Sequence, residues 1–263
     1  VTEYLTAAVY RVLGEESLNV ARVLSSVFWL VGGVFLFAVA KKIVPLDAAL
    51  ISLSYYLFVP FGIVISISIL PEPLMIMMIT FSLFLQVRYF ERPSRFALIR
   101  AAGISGLAAL VKPFCLFAVF GSFVAMAIQK RGRLRALVAG DVFAFTIIVG
   151  AVGASYYIYA ISKGDFLGDD FQSIFLPYLY LEPQHWIRWA LYAANAVGYA
   201  PLVAAALGIA LVPKGRPRAL ISGLVIGYLL FCLTYTVRVS FSSHCHLQLL
   251  IAVAFVLGPI IAT

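Results

Sequence analysis

Uncharged apolar runs of membrane-spanning length constrain this chain more than any other feature of its sequence. Residues 48–70 and 189–213 contain no Asp, Glu, Lys or Arg, and a transmembrane helix needs about 20 consecutive apolar residues. Of the 263 residues, 63% are hydrophobic and 11% are charged, and the mean hydropathy is +1.05. A soluble domain of this length cannot cover so much apolar surface with so little polar surface. The sequence therefore predicts a polytopic membrane protein.

The net charge of +8 indicates membrane topology and not nucleic-acid binding. Thirteen of the nineteen Lys and Arg residues fall in four short clusters, at alternate ends of successive apolar segments. The clusters are Lys41 and Lys42; Arg88, Arg92, Arg95 and Arg100; Lys130, Arg131, Arg133 and Arg135; and Lys214, Arg216 and Arg218. Cytoplasmic loops carry such an excess of Lys and Arg. The clusters therefore mark the cytoplasmic side, and we expect no nucleic-acid partner.

With the clusters as markers, the sequence predicts an all-α, polytopic transmembrane helical bundle with about nine apolar segments. They span residues 23–40, 48–70, 73–87, 97–111, 113–128, 136–162, 187–212, 219–237 and 247–263. Segments 97–111 and 113–128 are shorter than a full crossing needs, and we expect that this pair can form a hairpin that stops within the membrane. Residues 2–14 have the pattern of a short interfacial helix that ends at Gly14.

The side opposite the basic clusters collects most of the acidic residues and every histidine. Its charged and histidine residues are Glu3, Arg11, Glu15, Glu16, Arg22, Glu72, Lys112, Lys163, Asp165, Asp169, Asp170, Glu182, His185, Arg188, Arg238, His244 and His246. Its largest loop is predicted over residues 163–186, which are rich in aromatic residues of the interfacial type. The basic loops are too short to hold a nucleotide-binding domain. We therefore expect any chemistry on this outer face or within the membrane.

Two charged residues interrupt apolar runs at neighbouring outer turns. Glu72 stands between Pro71 and Pro73, and Lys112 is followed by Pro113. An ionisable group at membrane depth costs about 2.5–3.5 kcal/mol, so each is a candidate functional residue. The structural alternatives are a carboxylate that caps a helix N-terminus and a lysine whose side chain extends to water. Because the two turns are adjacent, Glu72 and Lys112 are also expected to be able to pair with each other.

Two arginines and two histidines are further candidates for contact with an anionic ligand. Arg22 opens the first segment and Arg238 closes the eighth. Arginine suits bidentate phosphate contact, and anchoring to lipid headgroups is the alternative. His244 and His246 flank Cys245. We favour hydrogen bonds from these histidines to a phosphate or sugar hydroxyl over a metal site, because structural zinc sites normally have four ligands.

The signals for a metal and for a disulfide are weak. Asp165, Asp169 and Asp170 form an acid-rich turn, for which a solvated loop is the default interpretation and a divalent-cation or general-base site the alternative. We therefore expect no certain cofactor and leave a divalent cation open. The three cysteines do not form a disulfide framework and are expected to be free thiols.

Four stretches resemble, in order, the membrane glycosyltransferases with the GT-C fold. They are most similar to the protein O-mannosyltransferase and aminoarabinose-transferase type, glycosyltransferase family 39. In YLTAAVYRVLGEESLNVARVLSSVFWLVGGVFLFAVAKKI, a helix that ends in Val-Leu-Gly precedes Arg22 and a helix rich in small residues. LPEPLMIMMITFSLFLQVRYFERPS is similar to the family's acidic-proline hairpin. AGISGLAALVKPF is similar to its glycine-rich helix that ends in Lys, and SSHCHLQLLIAVAFVLG to a late leucine-rich helix.

The resemblance implies a GT-C-like fold and an enzyme that moves a sugar from a polyprenyl-phosphate-linked donor to a protein, lipid or glycan acceptor. The transfer would take place on the outer face of the plasma membrane, which is either a bacterial inner membrane or an archaeal membrane. The family holds its principal catalytic acid in the first outer loop, which implies that this acid lies upstream of Val1. We therefore expect residues 1–263 to form one transmembrane domain that is incomplete at the N-terminus and C-terminus. Glu72 would have a supporting catalytic role. The expected substrate-binding residues are Arg22, Lys112, Arg238, His244 and His246.

Three alternatives are left open by the sequence. They are a flippase or transporter of lipid-linked sugars, an O-antigen polymerase or ligase, and a non-catalytic scaffold subunit. A transporter is disfavoured because the sequence has no internal repeat and its ionisable groups concentrate on one face, whereas alternating access uses a site at the midplane of the membrane. The glycosyltransferase is therefore the favoured hypothesis.

Overall fold

The computed structural model describes residues 2–14, 16–132, 134–162 and 175–262, and these residues form helices and turns without β-strands. The helices are α1 Thr2–Leu13, α2 Leu18–Ile43, α3 Leu46–Phe58, α4 Pro60–Ser66, α5 Glu72–Glu91, α6 Arg95–Val111, α7 Cys115–Arg131, α8 Gly140–Ser162, α9 Pro183–Val197, α10 Tyr199–Gly208, α11 Arg216–Thr234, α12 Thr236–Val239 and α13 Leu247–Ile261. Short 3-10 helices lie at Leu134–Val138, Pro177–Leu181 and Ser243–His246.

The predicted all-α membrane bundle is confirmed. Within the described residues, four helices are long and apolar enough to cross a membrane: α2, α5, α11, and α13 with its preceding 3-10 turn. Two bent pairs, α3 with α4 and α9 with α10, add two spans if each pair is counted as one. Together with α6, α7 and α8, these elements coincide with the nine predicted apolar segments. Helix α9 begins at Pro183, four residues before the predicted apolar segment 187–212.

The two bends have identifiable causes in the sequence. The chain turns by 62° between α3 and α4, where Pro60 provides no backbone N–H to continue α3 and Val59 adopts an extended conformation. Residues before a proline are driven toward that conformation. The turn of 98° between α9 and α10 lies at Gly198, whose φ of +86° is readily accessible only to glycine. Proline and glycine therefore break apolar segments that would otherwise read as continuous spans.

Helices α6 and α7 lie alongside α5, between the turn next to Glu72 and the end near Phe90. Lys112, in the turn between α6 and α7, forms an ion pair with Glu72 at the start of α5. At the other end of α7, the Lys130 ammonium lies 5.9 Å from the centre of the Phe90 ring, near the end of α5. Each helix has 17 residues and is about 25 Å long.

One end of the bundle carries basic residues, two of which form ion pairs with acidic residues of neighbouring helices. We call it the basic end. Lys42, in the last turn of α2, contacts Glu91 of α5 with an Nζ–Oε2 distance of 2.7 Å. Arg131, at the end of α7, contacts Asp141 of α8 at 2.7 Å, and the Asp141 carboxylate also accepts a hydrogen bond from the Tyr89 hydroxyl. The opposite end, which holds Glu72, is called the Glu72 end below.

Helices α7 and α11 approach each other so closely that their backbones touch at three glycines. A Cβ atom on Gly121 would lie 2.2 Å from the Gly223 carbonyl oxygen, and one on Gly223 would lie 2.3 Å from the Gly121 carbonyl oxygen. A Cβ on Gly227 would lie 2.1 Å from the carbonyl oxygen of Phe117. Helices in membranes associate through small residues that permit such close packing. This contact fixes α11 against the helix that begins just after Lys112.

A buried polar network joins α5, α6 and α7. The Gln86 amide nitrogen donates to Ser82 Oγ and to the Val119 carbonyl, both at 3.1 Å. Its amide oxygen accepts from Ser122 Oγ at 2.8 Å, and Ser82 Oγ lies 2.6 Å from Ser105 Oγ. Each of these polar side chains has a hydrogen-bond partner inside the bundle. The network can therefore hold the three helices in one register.

Replacing Gln86 by leucine is expected to destabilise the bundle by about 2 kcal/mol, because three interhelical or intrahelical hydrogen bonds are lost and each contributes about 0.6 kcal/mol within a membrane. This corresponds to a decrease in Tm of roughly 4–8 °C for a chain of this size. The measurement is thermal unfolding of the purified protein in detergent. Gln129→Leu, at an exposed position of α7, is the control. Equal Tm values for the two variants would show that the network does not hold the helices together.

Candidate functional site

Glu72 begins α5 and is almost completely buried, with 2% of its surface exposed. Pro73 suits the first turn of a helix, and the positive end of the helix dipole stabilises a carboxylate at this position. These local effects explain why a carboxylate is tolerated between two apolar segments. They do not satisfy the carboxylate completely, because among the described residues its Oε2 has no hydrogen-bond partner.

Lys112 is the partner of Glu72, as the adjacent turns suggested. Its ammonium donates a hydrogen bond to Glu72 Oε1 and lies 5.3 Å from the centre of the Phe114 ring. The Lys112 side chain is 22% exposed, whereas that of Glu72 is 3% exposed. The ion pair therefore has one buried member and one that reaches the surface. An anionic ligand can approach the ammonium without first entering the protein core.

His244 faces the same carboxylate from the other side. Its Nδ1 lies 3.9 Å from Glu72 Oε1, and its ring packs edge-on against Phe61 with the ring centres 5.4 Å apart. Nδ1 has no hydrogen-bond partner among the described residues, and the side chain is 38% exposed. Residues from α5, the α6–α7 turn and the turn before α13 thus meet at one point.

The two candidate arginines lie in different relations to this cluster. Arg238, on α12, is exposed, and the buried Cys245 lies within electrostatic range of Arg238, Lys112 and Glu72. Arg238 and the ion pair thus share Cys245 as a neighbour. Arg22 is exposed in the first turn of α2, where the neighbouring Ser26 hydroxyl donates to the Ser66 carbonyl. The structure brings Arg22 to the same end of the bundle but gives it no contact with the ion pair among the described residues.

His246 has a structural environment that differs from that of His244. It is completely buried. Its Nε2 lies 2.8 Å from the Val239 carbonyl and its Nδ1 lies 2.6 Å from the Tyr228 hydroxyl. The Val239 carbonyl can only accept, so Nε2 carries the proton and Nδ1 accepts from Tyr228. Because both ring nitrogens are already bonded, this geometry favours a role for His246 in fixing the turn before α13, not in contacting substrate.

A cavity of about 460 Å³ adjoins the ion pair. One wall is α1, which ends before Gly14 with φ +75° as predicted, and the other wall is formed by the turns next to Glu72 and Lys112. The lining residues are Thr2, Glu3, Thr6, Ala7, Tyr10, Ile69, Leu70, Pro71 and Val111. Pro71 and Val111 directly precede Glu72 and Lys112. The cavity therefore combines apolar walls with a few polar groups at the edge of the charged cluster.

No cluster of three or more His, Cys, Asp or Glu side chains is placed to hold a metal ion within the described ranges. His244 and His246 do not act as a pair, because the ring of His246 is held by Tyr228 and Val239. The predicted acid-rich turn with Asp165, Asp169 and Asp170 lies outside the described residues. The cysteines are free thiols, as predicted.

Sequence reasoning missed the aromatic residues that surround the ion pair. Phe114 lies below the Lys112 ammonium and Phe61 lies against His244. Both follow a proline that interrupts an apolar run, Pro113 and Pro60. An aromatic residue directly after a helix-breaking proline was thus the available signal.

The match to known proteins covers the part of the chain that contributes Glu72 and Lys112. The sequence profile of the family described as dolichyl-phosphate-mannose-protein mannosyltransferase matches residues 1–158. No curated protein and no solved structure matches the chain. The matched range ends before Arg238 and His244. With its apolar helical bundle and a family match over more than half of its length, the chain is an integral membrane protein that belongs to the dolichyl-phosphate-mannose-protein mannosyltransferase family, a glycosyltransferase family of the GT-C type.

Proposed function

We propose that this chain is part of an enzyme that transfers a sugar from a polyprenyl-phosphate-linked donor to an acceptor at the Glu72 end of the bundle. The positive-inside rule predicts that this end is the outer face of the membrane. The observation that carries the proposal is the Glu72–Lys112 ion pair, in which the buried carboxylate has one oxygen without a protein partner. Membership of a mannosyltransferase family and a buried carboxylate oxygen without a protein partner together support sugar transfer.

Lys112 is proposed to stabilise the phosphate leaving group. In such a transfer, the bond between the anomeric carbon and the phosphate oxygen breaks and its electrons stay on that oxygen. The acceptor oxygen bonds to the anomeric carbon, and a general base takes the acceptor's proton. An ammonium next to the phosphate lowers the energy of the charge that develops there. Lys112 is suited to this because part of its side chain is exposed, and Arg238, which has Cys245 as a neighbour in common with Lys112, is proposed to add positive potential.

Glu72 is proposed to act in support of Lys112 and not as the general base. Its Oε1 accepts the hydrogen bond that orients the Lys112 ammonium. Its Oε2 is buried without a donor, and a buried polar atom in this state is costly unless a ligand supplies the missing hydrogen bond. A hydroxyl of the sugar or of the acceptor is the group expected there. The general base is assigned to a residue outside this cluster.

The cavity beside α1 supports a lipid-linked donor. Ile69, Leu70 and Val111 give it apolar walls, and Thr2 and Glu3 add polar groups. The apolar walls suit the polyprenyl chain, and the phosphate is proposed to lie outside the cavity at Lys112, because the Glu3 carboxylate would repel it. Arg22, exposed at the same end, is proposed to contact headgroups or the donor phosphate at the rim of this region.

The proposal is tested with the full-length protein reconstituted into vesicles together with a radiolabelled polyprenyl-phosphate sugar. We expect the label to appear covalently bound to an acceptor, which can be a protein, a lipid or a glycan. Movement of the labelled lipid between leaflets without transfer would support a flippase instead. A scaffold subunit would be supported if neither transfer nor movement occurs and if Arg22, Lys112 and Arg238 can all be replaced by Gln without phenotype.

Glu72→Gln is expected to lower the rate of transfer about tenfold. The Lys112 ammonium still donates in this variant, but to a neutral amide oxygen, and the loss of the negative charge weakens the hydrogen bond by about 1–2 kcal/mol. Glutamine therefore still orients Lys112, but more weakly. The measurement is the initial rate of labelled product formation, with Asp141→Asn at the basic end as the control. If Lys112→Ala is inactive while Glu72→Gln keeps full activity, the two side chains do not act as a pair.

A further inference from the structure

A second cavity, of about 620 Å³, lies at the basic end of the bundle between the end of α5 and the start of α6. We propose that it binds the headgroup of an anionic membrane phospholipid, in the leaflet opposite the proposed transfer site. By the positive-inside rule this is the cytoplasmic leaflet. The proposal does not depend on sugar transfer, because the cavity shares no lining residue with the Glu72 cluster.

The charges that line this cavity match an anionic headgroup. Four of the lining side chains are cations and one is a carboxylate; they are Lys42, Arg88, Arg92, Arg100 and Glu91. Glu91 is neutralised by its 2.7 Å contact with Lys42, which leaves three arginines without a carboxylate partner in the lining. Arginine forms bidentate hydrogen bonds with phosphate. Basic pockets between transmembrane helices on the cytoplasmic side are suited to phospholipid headgroups.

The guanidinium groups are already held in place. The Arg88 guanidinium carbon lies 5.7 Å from the centre of the Phe84 ring, and that of Arg100 lies 5.4 Å from the centre of the Phe96 ring. Both aromatic residues also line the cavity. A cation stacked on a ring loses less conformational freedom when it binds a phosphate. The two arginines are therefore partly preorganised for an anion.

An apolar groove continues from this cavity toward the middle of the bundle. It has a volume of about 390 Å³ and shares Leu85 and Arg100 with the basic cavity. Its other lining residues are Phe81, Gly103, Ile104, Leu107 and Val152. Because Gly103 and Leu107 lie one and two turns beyond Arg100 on α6, the groove runs away from the headgroup site along the helix. An acyl chain attached to a headgroup phosphate in the basic cavity would lie in this groove.

The groove distinguishes between a phospholipid and a free phosphate as the occupant of the basic cavity. A soluble phosphate or nucleotide would use the four cations and would leave the groove unused. A phospholipid uses both parts at the same time. The chain offers a way to fill the groove alone, since a Cβ atom on Gly103 would have no neighbour within 4 Å. Gly103→Leu therefore adds a side chain at the groove with no clash at Cβ and no change of charge.

The test is native mass spectrometry of the full-length protein in detergent after equilibration with dioleoyl phosphatidylglycerol or dioleoyl phosphatidylcholine, which have the same acyl chains. The unmodified protein is expected to retain the phosphatidylglycerol preferentially. The double variant Arg88→Gln/Arg100→Gln is expected to lower this retention by roughly tenfold or more, since each basic residue near the headgroups contributes about fivefold. Gly103→Leu is expected to lower the retention of phosphatidylglycerol by about threefold or more, because the groove no longer packs against the acyl chain of the lipid.

Two matched controls keep the test specific. Lys41→Gln/Arg95→Gln removes two charges from the same end, at exposed residues that do not line the cavity. Gly150→Leu adds the same side chain on α8, at a position where a Cβ also has no neighbour within 4 Å. Both controls are expected to retain phosphatidylglycerol like the unmodified protein. Circular dichroism at the same temperature is expected to show equal helicity in all four variants.

Three results would overturn the proposal. The first is equal retention of the two lipids by the unmodified protein. The second is an equal loss of phosphatidylglycerol in the lining and control double variants, which would indicate general surface electrostatics. The third is normal retention by Gly103→Leu together with complete competition by millimolar inorganic phosphate, which would assign the cavity to a free phosphate.

Discussion

Replacing Lys112 by methionine is expected to lower the rate of sugar transfer by about 10²–10³-fold, the effect of removing one electrostatic stabiliser of a transition state. Methionine keeps an unbranched side chain of similar length but has no charge. The rest of the cluster, with His244 3.9 Å from Glu72, stays in place but does not supply the hydrogen bond that Lys112 gives. The measurement is the initial rate of label transfer from the polyprenyl-phosphate sugar by the full-length protein. Lys112→Arg, which keeps the charge, is expected to retain part of the activity.

Loss of folding is a separate effect of Lys112→Met, because it leaves the buried Glu72 carboxylate without its partner. Breaking a buried ion pair in this way costs about 3–5 kcal/mol. The double variant Glu72→Gln/Lys112→Met removes both charges and is expected to recover the stability while transfer stays low. Thermal unfolding in detergent measures the first effect and the transfer assay the second. If the double variant regains normal transfer, Lys112 acts only in structure.

Lys130→Met provides the matched control for this prediction. Lys130 ends the same helix that follows Lys112, and its ammonium lies over the Phe90 ring at the opposite end of the bundle. The same substitution there removes one positive charge at a distance from the proposed site. Transfer by Lys130→Met is expected to equal that of the unmodified protein. A loss as large as that of Lys112→Met would mean that the charge acts through topology or insertion and not through the leaving group.

The uncharged apolar runs were sufficient to predict the bundle, because each span must satisfy its backbone hydrogen bonds internally and present an apolar surface. The nine segments followed from these runs together with the basic clusters. The bends at Val59 and Gly198 did not, because an apolar count is insensitive to the loss of one N–H or to a positive φ. The extent of α6 and α7 was also uncertain, because 17 residues fall just below the usual length of a span.

The candidate site was predictable only in its strongest part. Glu72 and Lys112 stood out because a charge between two apolar runs is costly without a partner, and the ion pair between them is present. The two histidines looked equivalent in the sequence, yet His244 reaches the carboxylate and His246 is buried against Tyr228. That difference depends on the path of the chain after α12. A sequence pattern does not contain the distances that decide it.

Packing between α7 and α11 connects this path to the ion pair. α7 begins three residues after Lys112, and α11 leads through α12 to the turn with His244. The Phe114 ring, next to Lys112, lies 5.1 Å from that of Phe231 on α11. The distance between the two helices therefore sets how Lys112 and His244 meet at Glu72. That distance is fixed by the backbone contact at Gly121 and Gly223.

Gly223→Ala is accordingly expected to destabilise the protein by about 3 kcal/mol, the upper part of the range for overpacking, and to lower Tm by roughly 6–12 °C. The added Cβ would lie 2.3 Å from the Gly121 carbonyl oxygen and 2.7 Å from Ser122 Cα. Both are backbone atoms that move only if the helices separate.

Gly150→Ala, whose Cβ meets nothing within 4 Å, is the control and is expected to keep or raise Tm, since alanine favours helix by up to about 1 kcal/mol over glycine. Because separation of the helices also displaces Lys112 from His244, the transfer rate of Gly223→Ala should fall below that of Gly150→Ala even at temperatures where both are folded. Equal Tm values and equal rates would show that α7 and α11 are not held together by this glycine contact.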